Sequence, residues 1–349
     1  MSLGLMILVG LISLSVALPT FGAVVCGFVL VLQAGVIVVR VAAAASKPSA
    51  MTTARQDPAP VFSVHVATHN EPPEMVIQTV RALACQDWPE GSYEVIVMDN
   101  NTSDPDMWRP VETYCSGLGP NFKFIHRDNV TGAKAGALNI ALQKTRSDAT
   151  HVMTVDADYA VIPQFLNSAA DALSRTGADY VQFPQAYALS DVSACGVDAE
   201  LKEYFLSSAQ MADGAEAVLL TGTLCVISKS ALETCGGWSG ATTTEDAELG
   251  VRLCQAGYSG RFISRIVGRG LLPFSMADLE KQRYRWASGN LQTLLGHLPT
   301  LLLGSSQLRF SKRMAVLSQL TAWLNFSLIP AAILLRYVHG LHEWAEVQG

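Results

Sequence analysis

Two aspartates, two positions apart, are the first residues in this chain that could do chemistry. Asp156 and Asp158 follow the apolar run THVMTVD at 150–156. Because side chains alternate along an extended chain, the two carboxylates can point to the same side. Two carboxylates on one side need a cation between them, and hard oxygen ligands suit Mg²⁺ or Mn²⁺. Since a D-x-D pair is also common in solvated turns, a metal site and a turn both explain these residues.

A second acidic pair begins a predicted helix. Thr244, Glu245 and Asp246 lead into AELGVRLCQAG, whose apolar spacing and closing Gly257 are typical of a helix with its carboxylates in the first turn. One interpretation is helix capping by the threonines at 242–244, with acids that favour the helix dipole. The other is that this helix end keeps Asp246 ionised, as a general base must be to accept a proton from a hydroxyl. The two interpretations are compatible.

A third group combines positive charge with an indole. The run QRYRW at 282–286 lies in a segment that starts with SMAD at 275–278, which has the capping-box form of a helix start. On that helix Gln282, Arg285 and Trp286 share one face. Such a face could hold a diphosphate while a sugar ring stacks on the indole. Alternatively, the same residues anchor an amphipathic helix at lipid headgroups.

A glycine-rich run supplies a further cation. The run VTGAKAG at 130–136 lacks the P-loop spacing, and no G-x-G-x-x-G follows a strand, which argues against a kinase, an ATPase or a dinucleotide enzyme. Lys134 remains a candidate partner for a phosphate. The seven scattered cysteines and seven histidines show no zinc-ligand spacing. A net charge of −6 gives no basic footprint for nucleic acid, so we expect no nucleic acid partner.

Strand and helix patterns alternate around these residues. Strands are predicted from apolar runs and helices from apolar periodicity, with strands at 61–67, 93–99, 150–156 and 179–183 and helices at 74–86, 135–144 and 163–176. This order predicts an α/β domain with a mostly parallel sheet. In such sheets ligands bind outside the carboxyl ends of the strands. Two of the strands end in acids, at Asp99 and at Asp156, so we expect the site there.

The two ends of the chain are candidates for the membrane. The composition is 50% apolar and only 15% charged, with no charged side chain before Arg40 and none from Ala315 to Leu335. An uninterrupted helix from Leu3 to Val39 would extend about 55 Å, well beyond a hydrocarbon core of about 30 Å. We expect two short transmembrane helices that turn around residues 18–22, or one tilted and kinked helix. Basic residues flank the central region on both sides, which predicts a cytoplasmic domain.

These patterns predict five segments. They are an N-terminal transmembrane segment at 1–41, a linker at 42–60, a catalytic domain at 61–270, interfacial helices with the QRYRW run at 271–304 and a transmembrane helix at 314–338.

The order and spacing of the four groups resemble a known signature. Asp99, the DAD run at 156–158, the TED run at 244–246 and QRYRW resemble the D, DxD, TED, QxxRW set of membrane-embedded family 2 inverting glycosyltransferases, the cellulose-synthase-like β-glycan synthases. The resemblance covers about residues 61 to 303. The runs DNNTSDP at 99–105 and WRPVE at 108–112 look more like bacterial synthases of β-1,3- and cyclic β-glucans.

The resemblance implies a fold and an activity. The fold would be a GT-A-type, Rossmann-like domain with a mostly parallel sheet, flanking transmembrane helices and an interfacial amphipathic helix. The activity would be inverting polymerisation of a β-glucan from UDP-glucose at the cytoplasmic membrane face, assisted by Mg²⁺ or Mn²⁺. The protein would be integral to a bacterial inner membrane. Its partners would be the UDP-sugar, a growing β-glucan or lipid acceptor, the lipid bilayer, and other subunits or copies of itself.

The resemblance also assigns residues to these roles. Asp246, with Glu245 beside it, would deprotonate the acceptor hydroxyl. Asp156 and Asp158 would bind the metal. The nucleotide sugar would contact Thr68, His69, Asn70, Glu71, Asp99, Lys134, Asp156 and Arg285. The acceptor would contact Gln282, Trp286, Thr244 and Gly222.

Two departures from the family keep alternatives open. Ala67 and His69 stand where the family commonly has Pro and Tyr, so an imidazole would replace the aromatic contact to uracil. Family members also commonly continue into several further transmembrane helices that line a polymer channel. Three candidate spans are too few to enclose a pore, so we expect part of a longer protein, a protomer of an assembly, or an enzyme that does not translocate polymer. The alternative functions are a transferase that adds one sugar to a lipid and an inactive partner subunit.

Overall fold

Strands that are buried on both faces form the centre of the protein. The computed structural model describes residues 19–46, 59–188, 195–273, 275–304 and 308–323, together with residues 10, 13, 14, 335 and 338–340. The strands are β1 (Phe62–Thr68), β2 (Tyr93–Asn100), β3 (Phe122–Arg127), β4 (His151–Thr154), β5 (Tyr159–Val161), β6 (Tyr180–Gln182), β7 (Cys225–Ser228), β8 (Gly260–Phe262) and β9 (Gly268–Gly270).

Helices follow most of these strands. The helices are α1 (Pro19–Ala44), α2 (Pro73–Ala84), α3 (Pro105–Gly117), α4 (Ala133–Lys144), α5 (Phe165–Thr176), α6 (Cys195–Tyr204), α7 (Gln210–Asp213), α8 (Lys229–Thr234), α9 (Glu245–Gln255), α10 (Met276–Leu303) and α11 (Phe310–Leu320). A π-helical segment, Phe205–Ala209, joins α6 to α7. Prolines at the first turns of α2 and α3 suit these starts, because a residue at that position has no helical partner for its N–H.

The main sheet is mostly parallel, as expected, with one antiparallel strand that makes it mixed. Seven strands lie in the order β3-β2-β1-β4-β7-β6-β8, and β7 runs antiparallel to both of its neighbours. Cys225, the first residue of β7, pairs with Thr154 and Gln182, the last residues of β4 and β6. The segment between β6 and β7 therefore begins and ends at the carboxyl edge of the sheet, and β7 runs back from that edge. β5 and β9 form a separate antiparallel pair.

Helices cover both faces of the sheet. Phe62, Val64 and Val66 alternate along β1 and pack in one core with α2, α3 and α5. On the opposite face α4 packs on β2 and β4, and α9 packs beside it with α6 and α11. The result is the three-layer α/β arrangement that the alternating pattern predicted. The carboxyl ends of β1, β2 and β4 lie side by side in this arrangement, since β1 pairs with both β2 and β4.

The N-terminal part differs from the expectation. Residues 19–22, where a turn was expected, form the start of α1, and nearly all residues before them lie outside the described part of the chain. Within the described ranges α1 is the one helix long and apolar enough to cross a membrane, over Thr20–Ala44, by length and composition alone. Most of the expected linker, residues 47–58, is likewise outside the described residues.

The C-terminal part also differs. The expected interfacial helices at 271–304 are one continuous helix, α10. The described start of the expected transmembrane helix at 314–338 is α11, which ends at Leu320 and is buried against the domain. Gln319 explains this burial, because its Oε1 accepts from Leu219 N at 2.8 Å and its Nε2 donates to Ala217 O at 2.9 Å. A buried amide with these bonds holds α11 to the segment before β7.

Candidate active site

Lys134 connects two of the acidic groups. It lies in the first turn of α4, and its Nζ contacts Asp156 Oδ1, donates to Gly222 O at 3.1 Å and lies 4.0 Å from Glu245 Oε1. Burial lowers the pKa of Lys134, but the charges of Asp156 and Glu245 outweigh burial and raise it overall. Lys134 is therefore a fixed positive charge between the end of β4 and the start of α9.

Asp246 is a partly buried carboxylate with an unusual pKa. Its Oδ1 accepts from Ala247 N at 2.8 Å in the first turn of α9. Burial, and next the charge of Glu245, raise the pKa of Asp246 to about 7, although Lys134 acts in the opposite direction. A carboxylate with a pKa near neutrality is a good proton acceptor.

Gly222 brings the backbone close to this carboxylate. A Cβ built on Gly222 would lie 2.9 Å from Asp246 Oδ2, and the residue has φ of +82°. Gln182 fixes the segment by accepting from Thr221 N at 3.0 Å and donating to Thr223 O at 2.9 Å. Thr223 Oγ1 in turn accepts from Asp156 N at 3.0 Å. The segment at 221–223 thus lies between the D-x-D turn and Asp246, where only a glycine fits at its centre.

Thr244 takes the N-cap position of α9 without a side-chain cap bond. Its hydroxyl is buried and has no hydrogen-bond partner within the described residues. A Cβ on Gly289 of α10 would lie 2.5 Å from this hydroxyl, so the two helices are in close contact at this point. The capping interpretation is therefore not realised by the Thr244 side chain, which instead packs against α10.

Asp99 is held by a set of donors at the end of β2. Its Oδ1 accepts from Thr68 Oγ1 at 3.0 Å and from Thr102 Oγ1 at 2.8 Å, and its Oδ2 lies 2.7 Å from His126 Nδ1. Trp108 stacks on the His126 ring with centroids 4.4 Å apart. The sequence analysis missed His126 and the role of Trp108, since β3 was not predicted.

The loop after β1 lies beside Asp99. His69 Nδ1 donates to Asn100 O at 2.7 Å, and Asn70 Nδ2 donates to His69 Nε2 at 3.1 Å. Glu71 accepts from His69 N, and burial raises the pKa of Glu71. The charge of Glu71 acts on both Asp99 and Asp158, so the loop adjoins the D-x-D turn. The four predicted nucleotide contacts at 68–71 are thus close to Asp99.

The D-x-D pair fits a hard divalent cation. Burial, and next the charge of Asp156, raise the pKa of Asp158 to about 7. A cation beside Asp158 would relieve this unfavourable charge. No group of three or more potential ligand side chains occurs among the described residues, so the remaining ligands would come from phosphate and water. That is the usual coordination of Mg²⁺ at phosphate sites.

Asp158 also faces open space. It lines a cavity of about 540 Å³ whose other walls come from α2, β5 and β9, including Gln78 and Arg269. This volume is in the range of small-ligand sites. Asp158 can therefore be reached by a ligand.

In the QRYRW run, the arginine that lies against Trp286 is Arg283 and not the expected Arg285. Arg283 lies over the Trp286 ring at 4.4 Å and donates to Glu200 Oε2 at 3.0 and 2.9 Å and to Gln282 Oε1 at 2.7 Å. Arg285 is exposed, and its side chain makes no hydrogen bond or ion pair within the described ranges. The face that contacts the domain therefore contains Gln282, Arg283 and Trp286.

A small cavity connects this face to Asp246. It has a volume of about 50 Å³, and its lining includes Asp246, Thr244, Trp286, Tyr204 and Trp323. The Tyr204 and Trp323 rings stack with centroids 5.4 Å apart, and the Trp286 and Trp323 rings are 5.3 Å apart. Aromatic rings beside a carboxylate are a common arrangement for binding a sugar. The sequence analysis missed Tyr204 and Trp323.

The structure thus brings together most of the predicted residues. Asp156, Lys134, Gly222, Glu245 and Asp246 form one cluster, the 68–71 loop and Asp99 adjoin it, and Thr244 and Trp286 border the cavity. Gln282, one helical turn before Trp286, accepts from Tyr187 Oη at 3.3 Å. The Arg285 side chain contacts none of these residues within the described part of the chain.

Comparisons with known proteins agree with this geometry. A family model described as "Glycosyl transferase family group 2" matches residues 151–345, and one described as "Glycosyl transferase family 2" matches residues 63–236. The cellulose synthase catalytic subunit (UDP-forming) of Xanthomonas axonopodis pv. citri (strain 306) is 31% identical over 274 residues, which are 76% of this chain and 36% of that protein. Glucomannan 4-beta-mannosyltransferase 7 of Arabidopsis thaliana is 29% identical and covers 66% of this chain and 42% of its own. The chain spans about a third of the length of the bacterial synthases that it matches.

Solved structures show the same fold. A mannosyltransferase from Pyrobaculum calidifontis, in complex with GDP-Man and Mn²⁺, has a TM-score of 0.66 and 17% identity and covers 89% of this chain and 85% of its own. The S. aureus protein TarS, in complex with UDP-GlcNAc, has a TM-score of 0.53 and 16% identity and covers 76% of this chain and 71% of its own. The described domain is thus GT-A-like, with a mixed sheet.

Proposed function

The chain belongs to the family 2 glycosyltransferases and is distantly related to cellulose synthases and glucomannan mannosyltransferases, and from this premise we propose that it builds a β-glucan from UDP-glucose. The observation that carries the proposal is the partly buried Asp246, which lies next to Lys134 on one side and a cavity lined by Trp286 on the other. Asp246 as a base, Lys134 as a partner for phosphate and Trp286 as a surface for a sugar ring would then lie around one place.

The proposed reaction begins at the acceptor. Asp246 accepts the proton of an acceptor hydroxyl in the cavity, and the oxygen attacks the anomeric carbon of the donor sugar. The bond from that carbon to the diphosphate breaks, and UDP leaves from the opposite side. An α-linked donor therefore gives a β-linked product. No covalent bond to the protein forms, so positioning and electrostatics supply the rate.

The diphosphate gains negative charge as it leaves. Lys134 is the fixed cation of the cluster, and Arg285 is the exposed cation on the neighbouring helix that we propose to turn to the donor. A Mg²⁺ or Mn²⁺ ion held by Asp156 and Asp158 would add further positive charge there. The structural relative from P. calidifontis is described with Mn²⁺ and a sugar nucleotide, which supports this assignment.

The nucleoside is proposed to lie over the ends of β1 and β2. Thr68, His69, Asn70 and Glu71 surround this place with Asp99, whose carboxylate is already oriented by His126. The acceptor is proposed to contact Trp286 and Thr244, which line the cavity, Gly222, which adjoins Asp246, and Gln282, which lies one helical turn before Trp286.

We also propose that the protein contacts a membrane. Tyr284, Leu291, Leu295 and Leu302 are exposed apolar residues on one face of α10, and α1 exposes most of its apolar surface. Both surfaces suit a lipid bilayer, with the catalytic domain at its cytoplasmic side. The division into segments at 1–41, 42–60, 61–270, 271–304 and 314–338 belongs to this proposal.

The test is release of UDP by membranes that contain the full chain. UDP-glucose, UDP-N-acetylglucosamine and UDP-galactose are each supplied with Mn²⁺ or with EDTA, and any product is digested with β-1,3- and β-1,4-specific glucanases. We expect metal-dependent release with UDP-glucose and a glucanase-sensitive polymer. A single-sugar glycolipid would overturn the polymerase in favour of a lipid transferase. Absence of release from every donor would overturn the enzyme in favour of an inactive partner subunit.

A further inference from the structure

His297 links the two helices that border the candidate site. It lies on α10, and its Nε2 is 3.2 Å from Glu248 Oε1 on α9, while its Nδ1 is 3.1 Å from Gln255 Nε2, also on α9. A carboxylate can only accept, so Nε2 donates to Glu248, and Nδ1 of the neutral ring accepts from Gln255. Both ring nitrogens thus have partners on the other helix.

The contact continues from Glu248 to the loop after α8. Arg252 Nε lies 2.9 Å from both carboxylate oxygens of Glu248, and Arg252 Nη2 donates to Gly237 O at 2.8 Å. Glu248 is nearly buried, and although burial raises its pKa, the bonds from His297 and Arg252 lower it overall. The carboxylate is therefore charged and fully bonded.

The same loop is fastened to α4. Asn139 Nδ2 donates to Trp238 O at 2.8 Å, and Trp238 N donates to Asn139 Oδ1 at 2.9 Å. A continuous set of polar contacts thus runs from α10 through α9 to α4. Each of these helices carries residues of the candidate site, among them Trp286 on α10, Asp246 on α9 and Lys134 on α4.

His297 is remote from the chemistry itself. Eleven positions separate it from Trp286, which is about 16 Å along a helix. Nearer the site α10 meets α9 at a first point, where Gly289 abuts Thr244 and Gln292 Oε1 accepts from Thr243 N at 3.1 Å. His297 is the second point. Two separated points fix the axial position of one helix on another, whereas one point allows it to tilt.

We propose that His297 is a positioning residue for glycosyl transfer. It holds α10 on α9 and so sets the separation between Asp246 and the acceptor residues Gln282 and Trp286. The proposal rests on the glycosyltransferase function above. The residues proposed to bind the nucleoside, on β1 and β2, lie outside this set of contacts. Loss of His297 therefore lowers turnover and leaves the affinity for UDP nearly unchanged.

The experiment compares His297→Ala, His297→Gln and the control Glu280→Gln on the exposed face of α10 in the full chain. We measure the Kd for UDP, kcat with the active UDP-sugar and a short β-glucan oligosaccharide, and the ratio of transfer to donor hydrolysis. His297→Ala should lower kcat about 10- to 100-fold, the size expected for displacement of about 1 Å. Its Kd for UDP should stay within about twofold, and its transfer-to-hydrolysis ratio should fall. His297→Gln should restore most of kcat, because its amide can donate to Glu248.

Two results would overturn the proposal. One is an unchanged kcat in His297→Ala, and the other is an equal loss of UDP affinity and kcat that His297→Gln does not restore. If the wild-type chain releases no UDP, the proposed function fails by itself. Hydrogen exchange of the amides at 286–303 then decides the role of His297: faster exchange in His297→Ala than in His297→Gln supports it, and equal exchange contradicts it.

Discussion

Lys134 Nζ lies 4.0 Å from Glu245 Oε1, so a cation from the helix after β3 reaches the first residue of the helix that carries the candidate base. The same Nζ contacts Asp156 at the end of β4. One side chain therefore joins the acidic turn, which we assign to the diphosphate and metal, to the acidic helix start, which we assign to proton transfer. Most of the predictions below concern this junction.

Replacement of Lys134 should weaken donor binding and catalysis together. In Lys134→Met the carboxylates of Asp156 and Glu245 lose their cation, and the leaving diphosphate loses a positive charge. We expect kcat/KM to fall about 100-fold or more, as for loss of one charged partner in a buried site. Steady-state kinetics of UDP release measure this. Lys144→Met, at the exposed end of the same helix, is the matched control and should keep wild-type rates.

The pH profile should report the raised pKa of Asp246. A general base works only when it is ionised, so kcat/KM should rise with pH up to an apparent pKa of about 7 and then level off. Below that value the rate should fall tenfold per pH unit. Because Lys134 lowers the pKa of Asp246, Lys134→Met should move this limb to higher pH. A rate that is flat from pH 5 to pH 8 would remove Asp246 as the base.

The raised pKa of Asp246 should increase the rate at higher pH but decrease the stability of the folded chain there. The folded pKa of Asp246 is above the unfolded value of about 3.9, so the folded chain binds more protons between these values. The contribution of this group to the free energy of unfolding therefore decreases as pH rises from about 4 to about 7. Asp246→Asn removes this contribution. Thermal unfolding of the two proteins at pH 5 and pH 8 should show a smaller loss of Tm with pH in the variant, and equal losses would contradict the burial of the carboxylate.

Two glycine substitutions separate backbone strain from contact with the base. Gly222 and Gly119 both have positive φ, but a Cβ on Gly222 meets Asp246 Oδ2 at 2.9 Å, whereas a Cβ on Gly119 meets nothing within 4 Å. Gly222→Ala and Gly119→Ala should each lose about 1 kcal/mol of stability from φ alone. Only Gly222→Ala should also lose activity, by at least about tenfold. Urea unfolding and UDP release measure the two effects, and equal activity in both variants would contradict the close approach.

The two arginines of the QRYRW run should have separable effects. Arg283 lies against Trp286 and bonds to Glu200, so Arg283→Ala should raise the KM for a glucan acceptor about tenfold and leave donor KM unchanged. Arg285→Ala should raise the KM for the UDP-sugar instead. Two-substrate kinetics separate these outcomes. Equal effects on both substrates in both variants would contradict the division of roles.

Much of the fold follows from local patterns. β1 and β2 are buried on both faces, as expected for strands covered by helices on both sides, and α2, α4 and α5 match their predicted ranges within a few residues. The start of α10 also follows from the sequence, because Ser275 accepts from Asp278 N at 3.2 Å. These elements are set by contacts within a few residues or by burial alone.

Other elements depend on contacts that no local pattern contains. β8 and β9 have three residues each, too few for a periodic signal, and the direction of β7 results from the path of the segment before it. The charge-free run from Ala315 was read as a membrane span, and most of it after residue 323 lies outside the described residues. In its described start, Gln319 bonds to the backbone at Leu219 and Ala217 and holds α11 against the domain. A run of apolar residues does not distinguish protein from lipid as its environment.

The residues of the candidate site also divide into those that local spacing predicts and those that only packing brings together. Spacing placed Asp156 and Asp246 at the ends of elements that meet at one edge of the sheet. Helical spacing alone grouped Arg285 with Trp286, but the packing of α10 against the domain places Arg283 over the indole. His126 lies on β3, which was not predicted, and Trp323 follows α11 in the run that was read as a membrane span. Their contacts with Asp99 and Trp286 therefore became visible only in three dimensions.

The most direct test of the central claim compares Asp246→Asn with the wild-type chain in the same membranes, with UDP-glucose and Mn²⁺. Transfer of glucose to a β-glucan acceptor and affinity for UDP are measured together. Loss of the base should lower transfer by about 100- to 10,000-fold and leave the Kd for UDP within about threefold, because Asp246 faces the acceptor cavity. Transfer at the wild-type rate in Asp246→Asn would contradict the account.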